Sequence, residues 1–556
     1  MRPLFFFAVA CTSGPGETGE GATDSGKPDT ADTAGDTADT AAVDYSTAIA
    51  AVQKAAKRDL RNGYATGVSV AVWKDGEVVY AEGFGTRHPD TEEPVGTTTL
   101  FQIGSDTKKI TAIAALRQVE TGTLSLDDTV ADVVPELVFL KDAPLAAELT
   151  LDELLSHQSA IFDYTPWTDA PDDTSLYDRT VGRFAENEFR LGPSGLFCNY
   201  SNPNFSLAGL LTQAVDGRMW PDIVEDDVFA PLGMTRTFAR KTSVEADGDY
   251  ATGVGYAFPD GHDSFDPLAA SSAYTFGTVE LADTVDDGFI RPAGLVWSTA
   301  SDMARLAGFL VDGDPAVLSD ALREQLTTSL VPMYPATDAA DYGYGYGLMI
   351  NNFGWSGYEG YYDHVPLWAH GGNTMTMTSG FYILPEQRMA VAVLSNGYGG
   401  DFIETAVRAM EGFADLPEPD ATGSTFIEDA APEDAEALAG TWVDPNLLGR
   451  LTLTWDGDVL LAEAPDLEAA GVAVGATLDP YYKDLYLLSI DGTDRDFSYY
   501  EDGEGGAWLV NRSFAFERST DNAVAPALRV APGGHLPPRF PDLRDVARGL
   551  PTRAAR

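Results

Sequence analysis

The sequence predicts a mixed α/β chain of the α+β kind: one antiparallel sheet with a large helical insert, followed by a small all-β, barrel-like domain. Three observations predict it. Residues 68–73 and 77–80 are β-branched runs joined by Lys74, Asp75 and Gly76, an Asp-Gly hairpin turn. Residues 380–384 and 389–394 form a second pair of this kind around Pro385 and Glu386, and the sequence between the two hairpins is mainly helical and loop-rich. Strands from both ends are therefore expected to meet in one sheet. Past residue 436, short strand-like runs recur between turn signals, the pattern of a barrel or sandwich.

Taken in order, the chain opens with Arg2, a short apolar run at 4–10, and Cys11. Residues 1–10 have the outline of a secretory signal peptide. A cysteine directly after Ala8, Val9 and Ala10 also resembles a bacterial lipoprotein signal, in which Cys11 is lipidated and becomes the first residue; a plain secretory cut nearby is the alternative. Residues 11–43 repeat Asp, Thr and Ala with almost nothing large and apolar, so a disordered acidic tether is expected, extended by its own charge. Residues 44–415 read as the main domain. A helix is expected over 46–60, where Ile49, Val52, Ala56 and Leu60 recur at helical spacing. Further helices are expected over 108–120 and 403–413. Residues 416–436, rich in Pro, Asp and Glu, read as a linker. Residues 437–520 hold strand runs at 451–455, 459–461, 485–490, 507–510 and 514–516, with Asp-Gly turns at 456–457 and 491–492. Residues 521–556 read as a loosely ordered tail.

The 556 residues have the length of three or four domains. There are 86 acidic residues against 35 basic ones, a formal net charge of −51. Nucleic-acid binding needs a basic footprint that displaces counterions from phosphates, so it is excluded. An anionic membrane surface would repel this chain, which leaves a lipidated N-terminus as the expected membrane contact. Two cysteines, Cys11 and Cys198, exclude a disulfide-stapled module and a cysteine zinc site. The six histidines are scattered without H-E-x-x-H or H-x-H, so no metal is expected, and no other cofactor is implied. G-x-S-x-G is absent, which removes the α/β-hydrolase elbow. The one G-x-G-x-x-G, at 14–19, falls in the tether and not between a strand and a helix.

Ser105 and Lys108 form an S-x-x-K element at the start of the 108–120 helix. Residues three apart share a helix face. A serine hydroxyl needs a base to take its proton, and a lysine can serve when burial or a neighbouring cation lowers its pKa. The serine's own N–H, at a helix start, stands where an oxyanion could bind. Tyr200 and Asn202 form the chain's only Y-x-N. A phenol near a cationic lysine can pass protons between nucleophile and leaving group, and the Asn202 amide can hold Lys108 and bond a substrate carbonyl. His370, Gly371 and Gly372 form the only H-x-G. An S-x-x-K alone should occur about once or twice by chance in a chain this long; three elements in this order are far more specific.

With these motifs the chain resembles the serine β-lactamase and penicillin-binding-protein superfamily, in the branch with class C β-lactamases, D-stereospecific peptidases and related esterases. Other landmarks agree: residues 154–159 around His157, residues 231–234, residues 293–300 with Asp302, residues 344–347, and the strand ending at Leu394, Ser395 and Asn396. The resemblance covers about residues 45–413. It implies a β-lactamase/DD-peptidase-like fold with an antiparallel sheet and an all-helical subdomain. The C-terminal segment resembles, more loosely, the lipocalin-like barrels that some members append. The resemblance further implies that Ser105 is acylated, that Lys108 and Tyr200 handle protons, and that Asn202 orients the substrate amide. The oxyanion would be held by the N–H groups of Ser105 and of Asn373, the residue after Gly372. His370 stands where β-lactamases usually carry the lysine of K-T-G. His370 and Gly371 replace the family's usual cation and hydroxyl, which weakens the grip on a β-lactam or terminal D-alanine carboxylate. Thr376 and Met377 stand where relatives often have Gly-Phe, and Ala160 replaces a common glycine.

His157 and Cys198 read as buried residues and not as catalysts. Tyr342, Tyr344 and Tyr346, with Trp355, Tyr358, Tyr361 and Tyr362, read equally as a cleft lining or as packing. The expected function is a serine hydrolase using an acyl-enzyme on a small-molecule or peptide substrate, an amide or ester, with D-amino-acid-containing peptides among the candidates. A class C-like β-lactamase and a non-catalytic surface binding protein on a hydrolase fold are the alternatives. The expected setting is exported and lipid-anchored, in the bacterial cell envelope.

Overall fold

The computed structural model describes residues 43–163, 169–257, 275–400, 402–420, 431–512 and 514–519. The expected signal peptide, Cys11, the tether up to 42, and the 521–556 tail lie outside the described residues. Among the described residues no helix is long and apolar enough to cross a membrane.

The main sheet has eight strands. They are β1 (Gly67–Lys74), β2 (Glu77–Gly85), β3 (Val331–Pro332), β4 (Tyr342–Tyr344), β5 (Met349–Asn351), β6 (Leu367–Asn373), β7 (Thr378–Leu384) and β8 (Met389–Ser395). Their order is β2-β1-β8-β7-β6-β5-β4-β3. Asp75 and Gly76 turn the first hairpin with φ of 49° and 101°, the left-handed geometry that tight hairpins need. β1 then pairs antiparallel with β8, Val70 opposite Val393, so the two ends of the domain close one sheet as expected. The H-x-G residues His370, Gly371 and Gly372 belong to the sheet itself. They lie inside β6, where His370, Gly371 and Gly372 pair with Phe381, Gly380 and Ser379 of β7, while the β5 ladder meets β6 only at Leu367, Trp368 and Ala369. The β7 ladder holds a Gly-Gly pair that its own β propensity would not.

Five helices position the site and its support: α1 (Ser46–Asn62), α2 (Thr107–Thr121), α3 (Asn202–Asp216), α4 (Ala300–Asp312) and α5 (Ile403–Phe413). Both faces of the sheet are covered. In β8, Met389, Val391 and Val393 enter one core with α1 and α5, while Ala390, Ala392 and Leu394 enter the other with α4. A period of two thus splits one continuous apolar run between two layers. The small alanines leave room for α4 to come close. Trp73 lies against Gly308, where any Cβ would collide with the indole. Within the helical insert, α2 is enclosed on all sides from Thr107 to Leu116, which marks it as the central helix. It stops at Gly122, whose φ of 75° is a left-handed cap.

The C-terminal strands form a closed antiparallel barrel in up-and-down order: β9 (Gly440–Asp444), β10 (Gly449–Trp455), β11 (Leu460–Glu463), β12 (Val474–Tyr482), β13 (Leu485–Ile490), β14 (Thr493–Glu501), β15 (Ala507–Asn511) and β16 (Phe514–Arg518). β9 closes on β16, which leaves no open edge. The sequence pattern did not single out β9, β12 and β14. β12 contains Gly475 and Pro480 and shifts register twice, and β14 carries buried Arg495, Asp496 and Ser498. Ladder bonds to neighbours, and not side-chain alternation, make them strands. The barrel packs on the main domain, with the rings of Phe197 and Tyr500 5.3 Å apart.

Trp442 is fully buried in the barrel and its indole N–H donates to Leu438 O at 3.0 Å. Trp442→Ala is expected to cost about 3–5 kcal/mol, read as a lower midpoint in denaturant unfolding. Trp442→Phe should cost less, because most of the volume is kept.

Candidate active site

Ser105 sits in a single helical turn, Gly104–Asp106, that runs straight into α2. The sheet holds this turn from below. Ser379 Oγ on β7 bonds the carbonyl of Ile103 at 2.8 Å and also meets the Asp106 carboxylate. Asp106 is ion-paired with Lys109, and both side chains are fully enclosed. Lys109 Nζ also lies 4.3 Å from the centre of the Phe381 ring. Gly372 permits the close approach, because a Cβ there would collide with Ile103 O and Ser379 Oγ. Gly104, at φ 54°, is equally constrained: a Cβ would stand 2.5 Å from the Asn373 amide nitrogen. The two glycines therefore bring the Asn373 N–H beside the Ser105 turn.

Lys108 is completely buried. Its Nζ lies 3.0 Å from Ser105 Oγ, 2.7 Å from Asn202 Oδ1 and 2.8 Å from Ala293 O. Burial drives its pKa well below the ordinary lysine value. The Arg512 guanidinium pushes in the same direction, as does Lys109, while Asp163 and Asp106 oppose. In the neutral amine two N–H bonds go to Asn202 Oδ1 and Ala293 O, and the lone pair is left for the Ser105 hydroxyl. That arrangement can withdraw the serine proton.

Tyr200 stands beside this pair, with Lys108 Nζ 4.7 Å from its ring centre. The His157 ring packs against it in a tilted arrangement, ring centres 4.4 Å apart. Asn202 is the first residue of α3, and its backbone N–H donates to Asp163 Oδ1 at 2.9 Å. His370 Nδ1 faces Gly371 O at 2.6 Å, so the network assigns the proton to that nitrogen. Its Nε2 then accepts from the Tyr344 hydroxyl at 3.1 Å. Burial holds the His370 pKa well below the usual histidine value, helped by the charge of Lys109. Burial thus favours the neutral imidazole at this position.

The structure brings Ser105, Lys108, Tyr200, Asn202, His370, Gly372 and Asn373 into one cluster. His157 lies buried behind it, its Nδ1 accepting from Ser201 N–H at 3.3 Å and from the Asn204 amide at 2.9 Å, which braces the start of α3. Cys198 is half-buried, and not fully buried as expected, against the apolar cluster that holds Tyr200 and Tyr344. Tyr344 belongs to the site. Trp355 and Tyr362 pack in the core with α1 and α5. Ala160 has φ 56°, which shows why glycine suits that position; a left-handed alanine costs about 1–2 kcal/mol.

Several residues escaped the sequence reading. Asp106 and Lys109 flank the motif residues without being part of them, and Ala293 contributes only its carbonyl. Asp163 and Arg512 form an ion pair, Arg512 Nε donating to Asp163 Oδ2 at 2.6 Å across 349 residues of chain. Arg512 lies on the turn between β15 and β16 and carries no sequence signal, so the barrel reaches the site through a residue no motif marks. Among the described residues, no group of three or more His, Cys, Asp or Glu side chains could hold a metal ion.

Residues 52–412 match the family model described as Beta-lactamase. The chain is 28% identical over 392 residues to penicillin-binding protein 4 of Amycolatopsis lactamdurans, covering 68% of this chain and 92% of that protein. Its fold is similar to a crystal structure of SurE, with a TM-score of 0.59 and 21% identity over 85% of this chain and 99% of that one. It is also similar to the D-amino acid amidase of Ochrobactrum anthropi, with a TM-score of 0.52 and 23% identity over 66% of this chain and 98% of that one.

Lys109→Met leaves the Asp106 carboxylate buried without its partner and is expected to cost about 3–5 kcal/mol of stability. A Lys109→Met, Asp106→Asn double variant should recover part of that loss. Denaturant titration of the three proteins measures both effects.

Proposed function

The chain belongs to the Beta-lactamase family, and on that footing we propose that it is a serine hydrolase working through an acyl-enzyme on Ser105. The observation that carries this reading is the set of partners around Lys108. Two acceptors, Asn202 Oδ1 and Ala293 O, occupy the N–H bonds of a neutral amine and turn its lone pair to Ser105 Oγ at 3.0 Å. Lys108 takes the hydroxyl proton as Oγ attacks the substrate carbonyl. The N–H groups of Ser105 and Asn373 receive the developing oxyanion. The proton passes by way of Lys108 and Tyr200 to the leaving group, which departs. Water then attacks the acyl ester with the same groups in reverse, and the acid leaves. Asn202 Oδ1 is taken by Lys108, so its NH₂ end is the one that can bond a substrate carbonyl.

The substrate we propose is an amide or ester, with D-amino-acid-containing peptides among the candidates. Two features favour a neutral or cationic substrate over one gripped by its carboxylate. His370 is neutral and already engaged by Tyr344. The formal net charge of −51 attracts cations and repels anions. We further propose that the protein is exported and held to the bacterial envelope by a lipid on Cys11.

A fluorophosphonate probe is expected to label the wild type and not Ser105→Ala; equal labelling of both would sink the reading. Tyr200→Phe should lower turnover about 10²–10⁴-fold. Lys108→Arg should be inactive, because a guanidinium keeps its proton. Since Lys108 must be neutral, kcat/KM should rise with pH through a pKa well below the ordinary lysine value of about 10.4. A panel of p-nitrophenyl esters, D-aminoacyl anilides and a chromogenic cephalosporin separates the substrate classes. Enzyme-like turnover of the cephalosporin alone would replace the amide or ester reading by a β-lactamase. For the anchor, Cys11→Ser should release the protein from the membrane fraction, and unchanged association would refute lipidation there.

A further inference from the structure

We propose that Arg512, on the barrel turn between β15 and β16, is a positioning residue of the active site: it fixes Asp163 and the Tyr200 ring where they bring the 200–202 segment onto Lys108. The inference rests on the reading of Ser105 as nucleophile. A continuous run of contacts supports it. Arg512 Nε donates to Asp163 Oδ2 at 2.6 Å. Asp163 Oδ1 accepts the Asn202 backbone N–H at 2.9 Å. Asn202 Oδ1 accepts from Lys108 Nζ at 2.7 Å, and that nitrogen lies 3.0 Å from Ser105 Oγ. The Arg512 guanidinium is also 4.7 Å from the centre of the Tyr200 ring, the same distance as Lys108 Nζ. Side-chain exposure is only 15% for Arg512 and 9% for Asp163, so solvent screens the pair weakly. A planar guanidinium can lie on a ring while its Nε bonds a carboxylate, which an ammonium cannot do from one place.

The charges around Lys108 show why this arginine matters. Asp106 and Lys109 face it from its own turn and compensate each other as a buried ion pair. His157 and His370 face it from neighbouring elements, and burial keeps both neutral. Asp163 and Arg512 remain. Removing Arg512 takes away one charge that favours the neutral amine and strips Asp163, which favours the charged one, of its guanidinium partner. Both changes act in the same direction. Burial lowers the Lys108 pKa most, and the barrel supplies the charge that adds to it and offsets Asp163.

The test is the rate of Ser105 phosphonylation by a fluorophosphonate against pH, on the full chain. In that reaction Oγ bonds to phosphorus, fluoride leaves, and the serine proton goes to Lys108. In Arg512→Met the acid limb should move up by about one pH unit, and the rate at neutral pH should fall about tenfold. Arg512→Lys keeps the charge, so its acid limb should stay near the wild type while its rate drops. Arg512→Met combined with Asp163→Asn removes both charges and should return the limb toward the wild type. A labelled wild type with an unmoved limb in Arg512→Met overturns the inference alone, as does an Arg512→Lys limb that shifts as far as that of Arg512→Met. A wild type that is not labelled at Ser105 overturns the hydrolase reading, and the inference with it.

Discussion

A lysine amine held completely out of water is the constraint on which the rest of this structure depends. Burial disfavours the Lys108 ammonium strongly. Such a group is tolerated only where acceptors meet its hydrogens, and Asn202 and Ala293 do so from two different parts of the helical insert. The same acceptors aim the lone pair at Ser105. The requirement that keeps the buried amine satisfied and the requirement of the base we propose are therefore met by one geometry.

Holding that geometry takes most of the main domain. The Ser105 turn is tied to the sheet through Ser379, Asp106 and Lys109, and the sheet can come that close only because positions 104 and 372 are glycines. Asn202 is placed by the start of α3, which Asp163 meets at its backbone N–H and His157 at the neighbouring Ser201 N–H. Tyr200 is held within a ring of aromatic and imidazole side chains, His157, Tyr344 and His370. A β strand, a central helix and the mouth of a second helix converge on one amine. This is why a helical insert between two strand hairpins is needed at all.

The barrel is bound into the same arrangement. Arg512 reaches over Tyr200, and Tyr482 and Leu485 pack in the same cluster as Tyr200 and Tyr344. A C-terminal module that looked separable in sequence thus forms part of the wall of the site. His370 makes the complementary point. Its identity as a departure from a cation was readable, but its state was not, since the proton on Nδ1 follows from the Gly371 carbonyl and the Tyr344 hydroxyl.

The sequence by itself determined whatever depends on short spacing. Ser105 and Lys108 share a helix face because they are three apart. Residues 68–73 and 389–394 alternate between two cores because strand side chains do. The order of S-x-x-K, Y-x-N and H-x-G marked the residues that now lie together. Tertiary structure alone decided what depends on contacts between distant segments. These are the Arg512–Asp163 pair across 349 residues, the barrel strands without alternation, and the burial that sets the proton affinities of Lys108 and His370. The physical reason is that helix and strand periodicities act over a few residues. Desolvation and Coulomb forces act through space, and the fold decides which charges come near one another.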